Sequence, residues 1–341
     1  MIHARQLRLV GEKQLRLVSV SELPPLPAGF RRLEVLYCAI CRTDGKMWKS
    51  GHRDLILPRV PGHEIAAQDP VTGHLFTIWP GHNCGLCQAC LSGRDNLCDS
   101  MKITGFHTDG GFSTYIDAAD SSLIPAGHME DARLLCFAEP VACVLNCLNR
   151  IDLQKGERVV IHGGGVVGLI TALACSTREV KVTVVEKNEL KRKQTTPFCM
   201  VNGIDTVKNV TDNGFDIAIN CCDAIQAFRN CIQQLRKGGR LGFFSGLQKT
   251  HTLDTDTLNL LHYHEIALFG TYGPRRTHMV EAVDFCRSHG KKLELLLEKT
   301  LKPEEVPAVM EKVADGMALK YLIDFSRLRK EEEQSQEEFK L

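Results

Sequence analysis

The sequence lacks a charge surplus of either sign. Its 42 lysines and arginines stand against 41 aspartates and glutamates, a formal net charge of +1, with both signs mixed along the chain. No basic stripe argues for nucleic acid or for an anionic membrane surface. A long apolar run is missing too: none approaches the roughly 20 residues needed to span a bilayer, so no membrane association is expected. The stretch Met1–Val10 alternates like a strand and carries no apolar secretory core. Internal repeats and low-complexity segments are absent, which excludes solenoids and arrays.

Cysteine, by contrast, is plentiful. Fifteen occur in 341 residues, several within apolar stretches (Cys136, Cys143, Cys175, Cys221), and they read as reduced, buried thiols of a cytoplasmic protein. Four of them form a different pattern, Cys84-Gly-Leu-Cys87-Gln-Ala-Cys90 followed by Cys98. Thiolates at that spacing can close a tetrahedral shell around one structural zinc, with the turn Gly93-Arg94-Asp95 letting the chain fold around it. Disulfides suit secreted chains better, and a four-cysteine iron–sulfur site remains an alternative on spacing alone.

The chain is long enough for two domains, and its character changes near residue 150. The first part has short β-rich segments, turns such as Leu23-Pro-Pro-Leu-Pro27, and clustered cysteine, histidine and acid, a pattern suiting an irregular β-barrel lobe. From Gly156 onward strands alternate with helices. Strands are expected at Arg158–His162, Val180–Val185, Ile204–Val207, Asp216–Asn220, Arg240–Phe244 and Glu265–Phe269, with an apolar helix over Val166–Ala174. This order implies an α/β, parallel, doubly wound sheet. Helices Thr277–His289 and Pro303–Asp315 and a strand Lys320–Phe325 return to the first lobe. The expected division is a catalytic, zinc-binding domain of residues 1–145 with 271–330, a dinucleotide domain of 146–270, and a charged, solvated tail of 331–341.

Gly163-Gly-Gly165-Val166-Val167-Gly168 follows a strand and opens a helix. Gly163 permits the tight turn, Gly165 lets backbone approach a pyrophosphate, and Gly168 lets helix and sheet pack closely. The helix N-terminus at Val166 and Val167 then favours phosphate charge. Glu186 ends the next strand at about the spacing of a ribose-binding acid, roughly 20 residues on. A carboxylate there accepts from ribose hydroxyls and repels a 2′-phosphate, which favours NAD over NADP, while Lys187, Lys191 and Arg192 soften that repulsion.

Upstream, Cys38-Ala-Ile-Cys41-Arg-Thr-Asp44 and Pro61-Gly-His63-Glu64 offer a thiolate, an imidazole and a carboxylate from separate segments. A mixed set leaves a position for water or substrate, as catalytic zinc requires, but spacing alone does not join the segments.

These residues together resemble the zinc-containing medium-chain alcohol dehydrogenases, and more narrowly their polyol and threonine dehydrogenase branch. The resemblance runs to about Phe325. It rests on Cys41-Arg42-Thr43-Asp44, Gly62-His63-Glu64, the cysteine lobe, Gly110-Gly-Phe, Glu139-Pro140 and the glycine turn ahead of Glu186. It implies a GroES-like barrel beside a Rossmann domain, two zinc ions per chain, NAD, and a homodimer or homotetramer. It further implies that Cys41 and His63 bind catalytic zinc, with Glu64 a direct ligand or an exchangeable neighbour. Glu139 falls where other alcohol dehydrogenases place a second cysteine, and a carboxylate there marks the polyol-like branch. Thr43 matches the hydroxyl that passes on the alcohol proton, Arg42 a contact to coenzyme phosphate, and Lys191 lies at the cofactor. Trp48 matches a pocket wall, although packing within the lobe accounts for it equally.

Two departures stand out. Lys46 occupies the position of the family's relay histidine, and the cysteine lobe is complete although some sorbitol dehydrogenases lack it. The implied activity is interconversion of a secondary alcohol, of polyol, sugar or hydroxy-amino-acid type, with its ketone. The alternatives are a sugar-phosphate dehydrogenase, with Arg275-Arg276 as its cationic clamp, and a nucleotide-binding protein without turnover.

Overall fold

In the computed structural model, which describes residues 4–247 and 252–328, the chain forms two compact units. One contains the described residues up to Glu139 and those from Arg275 onward; the other is Pro140–Pro274. The charged tail 331–341 lies outside the described residues.

The first unit is built on the eleven-residue strand Phe30–Ile40. Its first half pairs with Tyr115–Ala119, and its second half is flanked by Glu64–Gln68 on one side and Lys320–Asp324 on the other, all antiparallel. Leu75–Ile78 and Leu123–Pro125 extend the sheet beyond Glu64–Gln68, and Leu297–Leu301 extends it beyond Lys320–Asp324. Alternation in the hairpin Ala4–Gly11/Gln14–Val20 points Leu7, Leu9 and Leu15 inward, where they join Leu33, Val35, Ile65, Phe112 and Ile323 in one core. Register decides function here. Ala39 stands opposite Glu64 while Ile40 stands opposite Tyr321, so both neighbours deliver side chains to the point where the strand runs into Cys41.

The second unit bears out the doubly wound parallel sheet. Its strands lie in the order Asp205–Val207, Lys181–Val185, Arg158–His162, Phe215–Asn220, Leu235–Phe243, Ala267–Gly270, every pairing parallel. Val160, Ala218 and Leu241 are buried in its centre, against Phe228, Cys231 and Ile232 of helix Ile225–Gln234. Helix Val166–Ser176 is buried from Gly168 to Cys175, which explains its continuous apolar sequence.

Several boundaries differ from expectation. The strand expected from Arg240 begins at Leu235. The helix expected to stop at His289 continues to Glu294 through a non-helical His289. Helix Arg42–Ser50 is absent from the sequence reading, because its Gly45, Asp44 and lysines mask the period of Met47 and Trp48, its buried apolar residues. Ala132–Arg150, a 3-10 turn running into an α-helix, is long and apolar enough by composition to cross a membrane, yet 72% of it is buried inside the fold. It is a core element.

Candidate metal centres and dinucleotide turn

Cys41 is the N-cap of helix Arg42–Ser50, which places it at the positive end of the helix. Asp44 reaches back, its Oδ2 accepting the Cys41 N–H at 2.8 Å. The helix is held close to its neighbour because Gly45 lies on backbone: a Cβ there would come 2.6 Å from the Ala314 nitrogen. His63 and Glu64 are fixed just as tightly. Gly62 has φ +95°, and a Cβ there would overlap the Phe112 ring, while one on Gly110 would overlap the Gly62 carbonyl. Only glycine fits either position.

The fold thus joins what spacing could not. The ligand atoms of Cys41, His63 and Glu64 all lie within 4.8 Å of one another. His63 is 6% exposed and Glu64 1%. The set fits zinc on an independent observation. His63 Nδ1 and Asp44 Oδ1 face each other at 3.6 Å, both buried and both without a hydrogen-bond partner. A histidine that turns Nδ1 toward a carboxylate keeps Nε2 for a metal, and such an outer carboxylate is the usual support of a ligating imidazole. Burial alone would lower the His63 pKa, but Asp44 and Cys41 together outweigh it and raise it well above the ordinary value.

Lys320 was not anticipated. Its ammonium donates to both Glu64 oxygens, at 2.9 and 2.6 Å, and both side chains are buried. Burial alone would lower its pKa, yet the charges of Glu64, Cys41 and Glu139 raise it. The signal was present as a lone lysine opening the apolar run Tyr321-Leu-Ile, in a strand buried along its whole length. Glu139 is buried in the first turn of Ala138–Arg150 and close enough to act on Lys320, but it is not among the mutually adjacent ligand atoms. Thr43 is half-buried in the turn after Cys41. Trp48 belongs to the core, with Lys13 over its ring at 5.9 Å.

The Cys84, Cys87, Cys90 and Cys98 sulfurs also lie within 4.8 Å of one another. Their closest approaches, Cys87–Cys90 and Cys84–Cys98, are both 3.5 Å, far longer than the roughly 2.05 Å of a disulfide. Polar hydrogens point at the sulfurs: Cys87 N–H to Cys84 at 3.4 Å, Cys84 N–H to Cys98 at 3.3 Å, and the Asn83 amide to Cys90 at 3.3 Å. Backbone N–H groups of Cys90 and Asp99 pull the Cys87 thiol down to about 6. Against the pull of the Cys84 N–H, burial and the Cys84 thiol push the Cys98 thiol the other way, up to about 11. Four sulfurs gathered this closely, with amide hydrogens aimed at them, fit a closed zinc shell.

In the second unit Gly163 has φ +112°, and a Cβ there would come 2.9 Å from the Cys221 carbonyl; a Cβ on Gly168 would overlap the Gly163 carbonyl. Gly165 caps helix Val166–Ser176, leaving Val166 and Val167 as its first turn. Glu186 accepts from Gly164 N–H at 3.0 Å and from Asn188 N–H at 2.9 Å, with Lys191 Nζ at 3.5 Å. The acid is therefore held against the turn, and Lys191 lies beside Gly165, 3.7 Å from where a Cβ would be.

Two expected cationic contacts look different in place. Arg42 Nε donates to the Ala314 carbonyl at 3.3 Å. Arg276 donates to the Ser121 and Leu123 carbonyls, and its N–H to Asp95.

Comparison with known proteins agrees with this geometry. The family described as alcohol dehydrogenase GroES-like domain matches residues 29–128, and that described as zinc-binding dehydrogenase matches 166–288. A sorbitol dehydrogenase of Halalkalibacterium halodurans is 30% identical over 250 residues, 65% of this chain and 71% of that protein. The L-galactonate-5-dehydrogenase of Escherichia coli is 27% identical over 260 residues, 70% of this chain and 76% of the relative. Among solved structures, one described as a zinc-binding dehydrogenase from Sinorhizobium meliloti 1021, bound to NADP, superposes with a TM-score of 0.85 at 22% identity, covering 95% of this chain and all (100%) of that one. With its GroES-like and Rossmann folds and its two cysteine-containing clusters, the chain belongs to the zinc-dependent medium-chain dehydrogenases, in their polyol branch, and is an alcohol/ketone oxidoreductase.

Proposed function

We propose that the chain oxidises a secondary alcohol of a polyhydroxy substrate with NAD, using a catalytic zinc held by Cys41, His63 and Glu64 and a structural zinc held by Cys84, Cys87, Cys90 and Cys98. The observation that carries the reading is the Cys41–His63–Glu64 group, with half-buried Cys41 beside buried His63 and Glu64, and Asp44 behind the imidazole. Zinc there supplies Lewis acidity, lowering the pKa of a hydroxyl presented to it. Nicotinamide supplies the hydride acceptor. The chain's own residues do the rest. Asp44 fixes the His63 tautomer, Thr43 Oγ1 takes the substrate proton, and with Lys46 at the relay position the proton leaves through water or ribose hydroxyls. Glu64, within ligand reach yet tied to Lys320, is the adjustable carboxylate. Glu139 acts through its charge on the same centre, as a ligand or as the acceptor of a hydrogen bond from bound water.

The names of the relatives span a neutral polyol, sorbitol, and an anionic sugar acid, L-galactonate. A panel of alditols, aldonates, their phosphates and threonine, followed by NADH absorbance, tests the reading; inertness of the zinc-loaded enzyme toward all of them would overturn it. Glu139→Gln is expected to lower kcat by about tenfold or more, as loss of a group acting directly on the metal centre does, with NAD affinity retained. Full activity with unchanged zinc would reduce Glu139 to a helix-terminus residue.

NAD is assigned over NADP because Glu186 is locked against the glycine turn. With Glu186→Ser the ratio of kcat/KM values, NAD over NADP, should fall about tenfold, the effect of about 1.4 kcal/mol of removed repulsion. A wild-type preference for NADP would mean that Lys191 and Arg192 dominate. The reading includes a cytoplasmic homodimer or homotetramer. Its support is the edge strand Ala267–Gly270, paired on one side and carrying Leu268 at 45% exposure, a strand that a second copy can continue about a two-fold axis.

A further inference from the structure

One side chain ties together the carboxyl ends of neighbouring strands in the parallel sheet. Asn220 is the last residue of Phe215–Asn220 and is 0% exposed. On one side it stands opposite His162, where the glycine turn begins; on the other it stands opposite Phe243, the last residue of Leu235–Phe243. Its amide is spent entirely beyond the strand ends. Nδ2 donates to the Cys222 and Ser245 carbonyls, both at 3.0 Å, and Oδ1 accepts the Phe244 N–H at 3.0 Å. The Asn220 carbonyl accepts the Ser245 N–H, also at 3.0 Å.

Both segments held in this way lie where a doubly wound sheet receives its ligand, outside the carboxyl ends of its strands. Cys221 and Cys222 form the floor of the glycine turn. Cys221 N–H donates to the His162 carbonyl at 2.7 Å, and a Cβ on Gly163 would come 3.1 Å from Cys222 Cβ as well as 2.9 Å from the Cys221 carbonyl oxygen. A Cβ on Gly168 would lie 3.4 Å from that of Cys221. The turn therefore rests on these two residues, and moving them moves the backbone that approaches a pyrophosphate. Cys221, Cys222, Phe244 and Ser245 are half-buried, as the walls of an open crevice are.

The chemistry of the contact selects asparagine. Phe244 N–H needs an acceptor while the Cys222 and Ser245 carbonyls need donors, and a primary amide answers all three. A carboxylate would set negative oxygens against two carbonyls, and an alkyl side chain would leave three backbone groups without this partner.

We propose that Asn220 is a positioning residue of the dinucleotide site, holding the glycine turn and the Phe244–Ser245 segment at the separation a pyrophosphate-bearing cofactor requires. The assignment rests on the reading of the glycine turn as the NAD site, and Asn220 acts there through the backbone it holds.

The test is calorimetric binding of NAD, and of ADP-ribose, which lacks the nicotinamide, to zinc-loaded wild type, Asn220→Ala, Asn220→Asp and Phe228→Leu. Phe228→Leu loosens the core of the same sheet without touching these hydrogen bonds, so it reports what lost stability alone does. Asn220→Ala should weaken both ligands about tenfold, the scale of one hydrogen bond to a charged group. The KM for NAD should rise equally, with kcat at saturating NAD within about twofold of wild type. At about pH 8 Asn220→Asp should bind as weakly as the alanine variant. Burial raises the pKa of an aspartate introduced there, and once protonated the acid donates again to one carbonyl. The ratio of its affinity to that of wild type should therefore rise several-fold as pH falls to about 5.5. In wild type, exchange of the Phe244 and Ser245 amide hydrogens should slow on adding ADP-ribose, a readout needing no variant. Equal affinity of wild type and Asn220→Ala, or a loss matched by Phe228→Leu at the same fall in melting temperature, would overturn the proposal. So would an Asn220→Asp ratio that pH leaves unmoved; if the alanine variant does not fold, this series and the exchange rates decide. Failure of the dinucleotide reading looks different: wild type itself then binds neither NAD nor ADP-ribose, and the proposal falls with it.

Discussion

His63→Ala is expected to abolish turnover, with kcat lower by about three orders of magnitude or more. Lewis-acid stabilisation is worth several kcal/mol, and each 1.4 kcal/mol or so is a decade in rate. Dinucleotide binding should survive, because the glycine turn, Glu186 and Lys191 all belong to residues Pro140–Pro274, whereas His63 does not. Zinc content should drop from two ions per chain to one, the remaining ion being that of the cysteine lobe. Cys90→Ser should do the reverse, lowering thermal stability while the catalytic ion stays. Zinc analysis with a titration of NADH fluorescence checks both. If His63→Ala kept two zinc ions, the catalytic centre would have to lie elsewhere.

The second large effect concerns Lys320. Lys320→Met removes one partner of a fully buried pair and leaves the Glu64 carboxylate without its counter-charge. Such a deletion destabilises by about 3–5 kcal/mol, and denaturant unfolding of the metal-free protein should show it. Lys320→Met combined with Glu64→Gln should recover much of the loss, because no charge is then stranded. The sign with pH follows from the raised Lys320 pKa. A group whose pKa is higher folded than unfolded contributes fully below the unfolded value, about 10.4 for lysine, and loses its contribution as pH rises through the folded one. The difference between wild type and Lys320→Met should therefore be constant through neutral pH and shrink only in alkali. Zinc should move in the opposite direction to stability: with the ammonium gone Glu64 is released to the metal, so zinc should raise the melting temperature of the variant more than that of wild type. An equal zinc-induced shift in the two proteins would show that Glu64 is no ligand.

The sequence by itself determined the features that short-range order can hold. The cysteine lobe is complete within Cys84–Cys98, so its closure needs only local turns. The strand Arg158–His162, the glycine turn and helix Val166–Ser176 are consecutive, and Gly168 answers to the Gly163 carbonyl within the turn itself. Apolar runs and their spacing also sufficed for a parallel doubly wound sheet, since its central strands Arg158–His162 and Phe215–Asn220 are buried along nearly their whole length. Tertiary structure alone brought Cys41, His63 and Glu64 together. Cys41 and His63 lie in segments joined only by the register of Phe30–Ile40 with Glu64–Gln68. Lys320 comes to Glu64 from 256 residues away because Lys320–Asp324 pairs with the other edge of that same strand. Asp44 was only the end of the Cys41-Arg42-Thr43-Asp44 motif until the fold turned it toward His63 Nδ1. Pattern reports which residues can be buried, but which buried charges meet depends on strand register and backbone contact at Gly45, Gly62 and Gly110, and those are settled by packing over the whole unit.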